Sequence, residues 1–471
     1  MYYQLKSKYR LCGWQGAECG LLDKDTGLVN FITPQKFRHL LFCNGELNVE
    51  GLISPADLET YRSEGLIEPL TKGTLPREDS HYIRYDNRFM EYAHWSITGA
   101  CNFKCRHCYL DSPSNRHGNL SIADMKKIVC QLAECGIFRV KITGGEPLLC
   151  KDFWELIDEL QNHHIIIDEV YTNGWLVSEE VLLKFASKNM FPTINMSFDG
   201  VGWHDWMRRV PGAETKVIQA FRLCRKFGFP TGAEMCVHRG NASTIRETVN
   251  FLASLNVEKI KIGSLFDTDL WKSNCENNYL SNEEFYDACL KYIPQYFEDG
   301  CPMRISLSNI FKYDPETKST WGLPDPSFDG IKNPYLCTSA RTTIYISPDG
   351  TILPCMAATA LSEELQAKFP NALSTDLKHI LQSSAITCFA DMQTSHLCAN
   401  NSECKQCSHI DRCKGGCRIE AMKRGNEWGK DTQACYVYRN AIPTKVKQAI
   451  ETARKEMMSW IINVSVMGTN I

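Results

Sequence analysis

Residues 101–112, CNFKCRHCYLDS, place three cysteines four and three positions apart, with an aromatic residue directly after the third. Clustered thiols of this kind can hold a metal, form a disulfide with one thiol left over, or lie buried as small apolar side chains. A closed zinc site needs four ligands, so Cys101, Cys105 and Cys108 are one ligand short. The spacing therefore raises the question of what fills the fourth position.

A second motif, GGEP from Gly144 to Pro147, follows the next predicted strand. Glycine lets the backbone approach a ligand closely, and Glu146 offers a carboxylate at the end of a strand, where it suits a bound amine. Taken alone, the motif is equally well explained as a tight strand-to-helix turn. Its position one strand after a cysteine triplet favours a binding site.

The elements that must position these motifs alternate between strand and helix over residues 90–300. Six strands are predicted, and their sequences are HWSITG, FRVKITG, IIDEVYTNG, FPTINMSFDG, FPTGAEMCVH and VEKIKIGS. This alternation predicts an α/β fold, a partial (β/α)6 TIM-like barrel. The cysteine triplet, GGEP, TNG and SFDG then follow the first four strands, at the carboxyl ends where barrel enzymes build active sites.

Composition indicates the broad class of the protein. The 471 residues carry a net charge of −3, which gives no electrostatic case for a nucleic-acid partner. We predict no signal peptide and no membrane span, since the start lacks an apolar run and MMSWIINVSVM is too short. The 23 cysteines favour metal sites in a reducing cytoplasm over disulfides. Four scattered ones are predicted to be buried small hydrophobes, namely Cys130, Cys135, Cys224 and Cys289.

With GGEP one strand later, the Cx3Cx2C motif resembles the radical S-adenosylmethionine (SAM) enzymes over about residues 90–300. The resemblance implies that Cys101, Cys105 and Cys108 bind three irons of a [4Fe–4S] cluster, leaving the fourth iron to SAM. In such enzymes the reduced cluster passes one electron to SAM, giving methionine and a 5′-deoxyadenosyl radical. The resemblance also implies SAM contacts from His107, Tyr109, Gly144, Gly145, Glu146, Asn173 and Ser197.

Residues 330–450 lose the alternation and hold nine cysteines. They resemble a SPASM domain, which carries two auxiliary [4Fe–4S] clusters, so three clusters and SAM are the expected cofactors. By that resemblance the ligands are Cys337, Cys355 and Cys417 for auxiliary cluster I, and Cys404, Cys407, Cys413 and Cys435 for auxiliary cluster II. A pair of zinc knuckles is the alternative. We expect the clusters, rather than a large apolar core, to hold this region together.

Two positions depart from the usual SPASM pattern. Six residues after the first SPASM cysteine, where many such enzymes have a fourth ligand, stands Thr343. Either auxiliary cluster I has an open iron, which could bind a substrate thiolate, or Cys388 or Cys398 supplies the ligand. Anaerobic sulfatase maturases of this architecture place an aspartate base after the second SPASM cysteine. Here Met356 stands there, and a methionine cannot take a proton.

The first 80 residues show short strands followed by two helices with Ser or Thr caps and a proline in the first turn. They resemble a RiPP recognition element, a winged helix-turn-helix that binds the leader of a ribosomally made precursor peptide by β-augmentation. The predicted leader-binding elements are strand GLVNF and helix PADLETYRS. A DNA-reading winged helix is the alternative, but SPADLETYRSEG carries three acidic residues against one arginine.

The predicted regions are a recognition element at 1–80, a radical SAM core at 81–310, a SPASM domain at 311–450 and a tail at 451–471. The predicted function is a cytoplasmic maturase that crosslinks a precursor peptide, with a cysteine thioether favoured by the open iron. The alternatives are a carbon–carbon crosslink of the Lys–Trp type, sulfatase maturation, and a non-catalytic Fe–S redox protein that binds peptide. The expected partners are the precursor peptide and an electron donor such as flavodoxin or ferredoxin. Candidates for a general base are Asp199, His204 and Asp205.

Overall fold

The structure is a computed structural model that describes residues 1–71, 82–112, 117–265, 268–308, 310–322 and 333–467. The strands of these residues are β1 (Tyr2–Leu5), β2 (Tyr9–Gln15), β3 (Ala17–Asp23), β4 (Val29–Phe31), β5 (Ile67–Leu70), β6 (Ile83–Arg88), β7 (Tyr92–Ser96), β8 (Arg139–Thr143), β9 (Ile166–Thr172), β10 (Thr193–Ser197), β11 (Thr231–Val237), β12 (Lys259–Ser264), β13 (Arg304–Leu307), β14 (Phe311–Asp314), β15 (Ser319–Gly322), β16 (Thr343–Ile346) and β17 (Ile352–Leu353).

The helices of the described residues fall into three groups along the chain. Those of the first half are α1 (Pro34–Phe42), α2 (Pro55–Ser63), α3 (Ile122–Glu134), α4 (Phe153–Asn162), α5 (Glu179–Ser187), α6 (His204–Arg208) and α7 (Ala213–Lys226). Those of the middle are α8 (Ile245–Ser254), α9 (Asp269–Asn274), α10 (Asn282–Glu298), α11 (Glu363–Gln366), α12 (Leu377–Gln382) and α13 (Ala385–Ala390). The last six are α14 (Thr394–Asn400), α15 (Ser402–Lys405), α16 (Ile410–Cys413), α17 (Arg418–Lys423), α18 (Thr432–Arg439) and α19 (Ile442–Met467).

The N-terminal strands form two small sheets, one in the order β4-β3-β2-β6 and one of β1 with β5. The turn between β3 and β4 is the DKDTG stretch, where Asp23 Oδ1 accepts hydrogen bonds from the Asp25 and Thr26 amides. Helices α1 and α2 begin at the predicted caps, with the side chains of Thr33 and Ser54 accepting from backbone amides three residues on. The arrangement is the predicted winged helix-turn-helix, with β4 as an edge strand.

The central sheet has eleven strands in the order β15-β14-β13-β12-β11-β10-β9-β8-β7-β16-β17. Its strands β7 to β12 are the six predicted ones, and each pairs in parallel with the next. The connecting helices form as their patterns predict. In α3, Ser121 caps the start, and Met125, Ile128, Val129 and Leu132 bury one face at helical spacing. The (β/α)6 arrangement is therefore present, extended on both edges.

The two faces of these parallel strands differ in chemistry. Side chains that point toward the helices are apolar and buried, as Ile142, Val170 and Met196 show. The opposite face carries polar residues such as Lys141 and Glu169, whose side chains lie 3.3 Å apart across β8 and β9. Because residues two apart share a face, each strand delivers polar groups to the barrel interior and apolar groups to the core. The motifs at the strand ends thus border a polar interior.

The cysteine-rich region joins the same sheet, because β16 pairs in parallel with β7 in the register Thr343 to Tyr92 and Ile346 to Trp95. Its apolar side chains belong to the main core, and the fully buried ones include Ile344, Ile346, Ile352, Leu377, Ile380 and Ile386. The expectation that clusters rather than an apolar core hold this region together is therefore wrong for residues 340–390.

The N-terminal sheet packs on the outside of the barrel through Trp14. Its ring is fully buried, stacks on Tyr85 at a centroid distance of 5.2 Å and meets Phe138 edge-on. Its indole N–H donates to the Cys135 carbonyl at 3.0 Å. Trp14 therefore ties β2 to the turn that leads from α3 into β8.

Each region boundary predicted from sequence can be compared with the elements found at that position. The boundary at 80 and 81 lies outside the described residues. Strands β13 and β14 form one antiparallel hairpin across the boundary at 310 and 311. Helix α19 begins before the tail that was expected from 451 and runs into it. Among the residues described, none of the helices is long and apolar enough to cross a membrane.

Candidate active site and cysteine clusters

The loop that follows β7 carries the cysteine triplet, and each sulfur receives a donor. The contacts are Phe103 N to Cys101 Sγ at 3.4 Å, Ser112 N to Cys108 Sγ at 3.4 Å, and Arg208 Nη1 to Cys105 Sγ at 3.7 Å. Burial raises the pKa of Cys101 to about 12, and the thiols of Cys105 and Cys108 add to the rise. The three sulfurs are thus close together, and donors directed at them suit thiolates that bind iron.

The GGEP loop packs backbone against backbone on the start of the cysteine loop. Gly145 N donates to the Thr98 carbonyl and Glu146 N to the Ala100 carbonyl, both at 2.8 Å. A Cβ atom at Gly145 would lie 2.2 Å from the Ala100 carbonyl oxygen, and one at Gly144 would lie 2.8 Å from that of Thr98. In addition to the predicted SAM contact, the two glycines allow the ends of β7 and β8 to approach each other.

Glu146 is fully buried at the end of β8. Its carboxylate accepts hydrogen bonds from Thr172 Oγ1 and Asn173 N at 2.8 Å and from Leu148 N at 3.2 Å. Burial nevertheless raises the pKa of Glu146 to about 7. A cationic amine beside the carboxylate would stabilise the charged form, so the site suits the amine of SAM. Thr172 was not predicted as a site residue, although it is the first residue of TNG.

Asn173 links the end of β9 to the cysteine loop. Its side-chain Nδ2 donates to Asn102 Oδ1 at 2.7 Å and lies 4.0 Å from Cys101 Sγ. Ser197 ends β10 and shares a strand face with Asn195, whose amide bonds Glu169 in the barrel interior. The structure therefore brings Asn173 directly to the cysteine triplet and leaves Ser197 on the interior wall.

His107 and Tyr109 of the cysteine loop are both half-buried. Burial lowers the pKa of His107 to about 3, so its imidazole is neutral at physiological pH. A neutral flat ring can stack on another ring, as the predicted adenine contact needs. Burial raises the pKa of Tyr109 well above its ordinary value, and its hydroxyl bonds Thr143 at the end of β8.

The three candidate bases lie beyond β10 and differ in their surroundings. Asp199 is fully buried, accepts from Arg208 Nε at 2.7 Å and lies 3.3 Å from the Nδ1 of the buried His204. Burial works to raise the pKa of Asp199, but the Arg208 charge and the His204 hydrogen bond outweigh it and hold the pKa well below its usual range. Asp205 accepts from the amides of Gly212 and Glu214, so it fixes the start of α7.

Arg208 is a further residue of the site. It belongs to none of the sequence motifs and was not predicted. Its guanidinium joins Asp199 to Cys105 Sγ and is itself buried. The nearby Cys236, at the end of β11, donates its backbone N–H to Asp199 Oδ1 at 3.2 Å. A His107 ring nitrogen, an Asp199 carboxylate oxygen and Cys236 Sγ lie within 4.8 Å of one another. These residues line the side of the cysteine loop that faces β10 and β11.

A charged network fills the barrel interior below the strand ends. Glu169 accepts from Lys259 Nζ at 2.9 Å, Lys141 Nζ at 3.3 Å and Tyr171 Oη at 2.6 Å. Burial opposes ionisation of Glu169, but Lys141 and Lys259 outweigh it and lower the pKa to about 2. The interior therefore stays charged at physiological pH. Its charged residues come from different strands, so the sequence of any one strand did not predict the network.

The four cysteines predicted for auxiliary cluster II line one cavity. Its lining consists of Glu403, Cys404, Cys407, Ile410, Cys413, Gly415, Lys430, Cys435 and Arg439. Burial raises the pKa of Cys404, and the thiols of Cys435, Cys407 and Cys398 add to the rise. Cys398, on α14, is thus among the thiols that interact with Cys404.

The three cysteines predicted for auxiliary cluster I also come together. Burial raises the pKa of Cys355 to about 12, and the thiols of Cys417 and Cys337 add to the rise. Thr343 begins β16 and donates its hydroxyl to the Ser339 carbonyl at 2.9 Å. Cys388 is exposed on α13. Three of the predicted thiols thus interact with one another, and the Thr343 hydroxyl is engaged with a backbone carbonyl.

The turn KGG separates Cys413 of the auxiliary II set from Cys417 of the auxiliary I set. Gly415 and Gly416 have φ values of +77° and +71°, which favour glycine. A Cβ atom at Gly416 would lie 2.5 Å from Asp431 Oδ2 and from Ala434 Cβ. The same Asp431 oxygen accepts the Cys417 amide at 2.8 Å. The turn therefore fits Cys417 tightly against the start of α18.

The buried Arg418 holds this turn together. Its guanidinium donates to the Glu427 and Gly429 carbonyls at 2.9 Å and also to the Gly415 carbonyl. Three carbonyls bound by one side chain give a rigid frame for the two cysteine sets. All three sets present sulfur donors, which is the donor chemistry that [4Fe–4S] clusters require.

Comparison with known families and proteins gives consistent matches. Residues 95–252 match the Radical SAM superfamily, and residues 337–408 match SPASM, an iron-sulfur cluster-binding domain. The chain is 36% identical over 332 residues to the mycofactocin maturase MftC of Mycobacterium ulcerans, covering 69% of this chain and 81% of that protein. It is 24% identical over 364 residues to the PqqA peptide cyclase of Gluconobacter oxydans, covering 75% and 92%.

Solved structures show the same fold. The structure of Streptococcus suis SuiB bound to precursor peptide SuiA superposes with a TM-score of 0.64 at 15% identity. The match covers 92% of this chain and 99% of that chain. The structure of anSMEcpe with AdoMet and the Cp18Cys peptide gives a TM-score of 0.57 at 18% identity, covering 77% and 99%.

Proposed function

Because the chain belongs to the radical SAM/SPASM maturases of ribosomally synthesised peptides, we propose that it installs a crosslink in a precursor peptide. The crosslink that the cysteine pattern favours is a thioether from a peptide cysteine. A carbon–carbon bond between two side chains is the second candidate, favoured by the resemblance to the PqqA peptide cyclase. Both reactions remove two hydrogens from the peptide.

We propose that three sets of thiols hold three [4Fe–4S] clusters, with the ligand sets inferred from sequence. Cys101, Cys105 and Cys108 would hold the cluster that binds SAM, and the remaining sets would hold auxiliary clusters I and II. When bound, the reduced cluster and SAM supply a 5′-deoxyadenosyl radical that abstracts a hydrogen atom from the peptide. The protein then has to position the substrate and exclude other reactions.

The chain's own residues have distinct parts in this proposal. Glu146 offers a carboxylate to the amine of SAM, and its hydrogen bonds from Thr172 and Asn173 fix the direction of its oxygens. Arg208 holds Asp199 and donates to Cys105 Sγ, which stabilises negative charge on that sulfur. His107 keeps a neutral ring beside the site. The charged interior around Glu169 would face the peptide residue that enters the barrel.

The observation that carries the proposal is the position of Tyr345. It lies on β16 in register with His94 of β7 and is fully buried. Burial raises the pKa of Tyr345, and the Cys108 and Cys355 thiols both add to the rise. Strand β16 lies between β7, which leads to the SAM-binding set, and β17, which leads to Cys355 of the auxiliary I set. Since a crosslink is an oxidation and needs an electron acceptor, an auxiliary set in the same sheet as the SAM-binding set supports oxidative crosslinking over redox-neutral chemistry.

We further propose that the N-terminal domain binds the peptide leader along β4. The strand is an edge of its sheet; Phe31 at its end is 50% exposed, and Leu28 directly before it is 40% exposed. An edge strand presents unpaired backbone groups that an extended peptide can pair with. The solved structure of SuiB, which shares the fold, contains a bound precursor peptide. Flavodoxin or ferredoxin would supply the electron.

The test uses anaerobically reconstituted protein with SAM, dithionite and the short peptide encoded beside its gene. We expect about twelve irons per chain for three clusters, 5′-deoxyadenosine, and a peptide lighter by two hydrogens. Loss of a free thiol with the two hydrogens identifies the thioether, and retention of all thiols identifies a carbon–carbon bond. An unchanged peptide together with abundant 5′-deoxyadenosine would contradict the crosslinking proposal. Zinc in place of iron would contradict the cluster assignment.

A further inference from the structure

Cys130 differs from the other scattered cysteines. Cys135, Cys224 and Cys289 are fully buried in the main core. Cys130 lies half-buried on α3, and its Sγ lies 3.5 Å from Nε2 of His163, which follows α4. The pair lies outside all three cysteine sets described above, on the helices that cover the outside of the barrel.

The orientation of His163 is fixed by its other ring nitrogen. His163 Nδ1 donates to the Glu159 backbone carbonyl at 3.0 Å. A donated Nδ1–H leaves Nε2 with its lone pair, and Nε2 is the nitrogen directed at Cys130. This is the hydrogen-bond pattern that metal-binding histidines usually show, with the ring N–H held by a carbonyl or carboxylate.

Glu159 completes a group of three ligands. It stands four residues before His163 on the same face of the helix, and its Oε1 lies 3.4 Å from His163 Nδ1. To bind an ion held at Nε2, the carboxylate has to turn past the ring toward Cys130. Cys130 Sγ, an imidazole nitrogen and a Glu159 carboxylate oxygen lie within 4.8 Å of one another. The Glu159 and His163 side chains are 19% and 29% exposed, so an ion can reach them.

The distance of 3.5 Å between Cys130 Sγ and His163 Nε2 fits zinc. Zinc binds thiolate sulfur at about 2.3 Å and imidazole nitrogen at about 2.0–2.1 Å, so the two donors of a tetrahedral site lie about 3.5 Å apart. Thiolate, imidazole and carboxylate are the three donor types that zinc takes in proteins. The charges of one thiolate and one carboxylate also balance a divalent ion.

We propose that Cys130, Glu159 and His163 form a zinc site between α3 and α4, with water in the fourth position. The two helices flank β8, which leads into the GGEP loop. One turn earlier on the same two helices, Lys126 Nζ lies 2.6 Å from Glu155 Oε1. The zinc would add a second contact between a cation and a carboxylate of α4. The site clamps the two helices that hold the strand carrying Glu146.

The test measures zinc and iron together in full-length protein reconstituted with iron and sulfide, then incubated with zinc chloride and desalted. We expect one zinc per chain, lost in both Cys130→Ser and His163→Gln. The matched control is Cys19→Ser, which changes a half-buried cysteine on β3 remote from these helices. Iron measured in the same samples shows whether a variant has folded and loaded its clusters.

X-ray absorption at the zinc edge separates this site from zinc bound in the cluster positions. We expect one sulfur at about 2.3 Å with nitrogen and oxygen completing the shell. A shell of three or four sulfurs, or zinc that stays at the same level in Cys130→Ser, would overturn the proposal. Loss of zinc in Cys19→Ser as well as in Cys130→Ser would overturn it too, because the effect would then not be local.

Discussion

At the scale of single residues, Glu146 combines full burial with three hydrogen bonds and a raised pKa. Its pKa of about 7 lies above the ordinary value of 4.5. In the absence of SAM, the folded state holds the Glu146 proton more tightly than the unfolded state does. The resulting contribution to the free energy of unfolding is fully present below about pH 4.5 and is lost as the pH rises through about 7. A bound amine reverses the preference, because it stabilises the charged carboxylate.

This pKa makes SAM affinity depend on pH. Below about pH 7 the Glu146 carboxyl is protonated and attracts the amine less, so the affinity should fall by up to about tenfold per pH unit. Glu146→Gln should weaken binding at pH 8 by about 1.5–3 kcal/mol and remove the pH dependence. Equilibrium dialysis of SAM against cluster-loaded protein from pH 6 to 8 measures both effects.

The matched control is Glu134→Gln, which changes an exposed glutamate at the end of α3. It should keep the affinity and the pH dependence of the unchanged protein. A Glu146→Gln variant that retained the same pH dependence would contradict the assignment of Glu146 as the group that meets the amine.

At the scale of elements, the site depends on strand ends that lie closer together than side chains would allow. The ends of β7 and β8 meet at Gly145 and Ala100, and the turn after Cys413 meets α18 at Gly416. These contacts tie the cysteines of one element to the frame of another. Replacing either glycine should therefore prevent an iron–sulfur cluster from binding, in addition to lowering the stability of the protein.

Gly145→Ala should prevent the SAM-binding cluster from forming. The added methyl would lie 2.2 Å from the Ala100 carbonyl oxygen, which must move and take Cys101 with it. Iron should fall by about four per chain, and 5′-deoxyadenosine formation should be lost. The control Gly263→Ala, on β12, adds a methyl that meets nothing within 4 Å and should keep both. Full iron in Gly145→Ala would show that the loop can shift without losing the cluster.

The edge strand β4 allows a test of leader binding that leaves its own sheet intact. Leu28 O accepts from Asp23 N, and Ile32 N donates to Cys19 O, so the amides of Val29 and Phe31 point away from β3. Val29→Pro removes one outward N–H and should weaken binding of the precursor peptide at least about tenfold. Val29→Thr keeps that N–H and should bind normally. Fluorescence anisotropy of labelled peptide measures both, and equal affinities would contradict pairing at this edge.

At the scale of the whole molecule, three regions act as one body. Trp14 ties the N-terminal sheet to the barrel, and β16 ties the cysteine-rich region to the other side of β7. The N-terminal sheet and the cysteine-rich region therefore both contact the barrel that carries the SAM-binding loop. A peptide held at β4 would extend from a domain that is anchored beside β8.

Trp14→Ala should lower the stability of the whole protein. Removing a fully buried indole costs about 3–5 kcal/mol, and Trp14→Phe should cost less because a ring remains and only the bond to Cys135 is lost. Phe191→Ala changes a ring that is 48% exposed and serves as the control. Thermal unfolding should rank the midpoints as Phe191→Ala above Trp14→Phe above Trp14→Ala. Equal midpoints would mean that the N-terminal sheet does not contribute to the stability of the barrel.

The sequence by itself determined the elements and the motifs, because both are local. Cap residues, apolar periodicity and turn glycines act within a few positions, so six barrel strands and the helices between them were predictable. Ligand spacing is equally local, and the cysteine triplet with GGEP indicated the family. The structure confirmed the fold class for this reason.

Only the tertiary structure decided contacts between residues far apart in the chain. The pairing of β16 with β7 joins the cysteine-rich region to the barrel, and it puts Tyr345 beside His94. Arg208 meets Cys105 across 103 positions, and Cys130 meets His163 across 33. Such contacts leave no local pattern, since strand order and helix packing fix them through the burial of the whole core. The sequence therefore indicated what chemistry the chain performs, and the fold decided which side chains surround it.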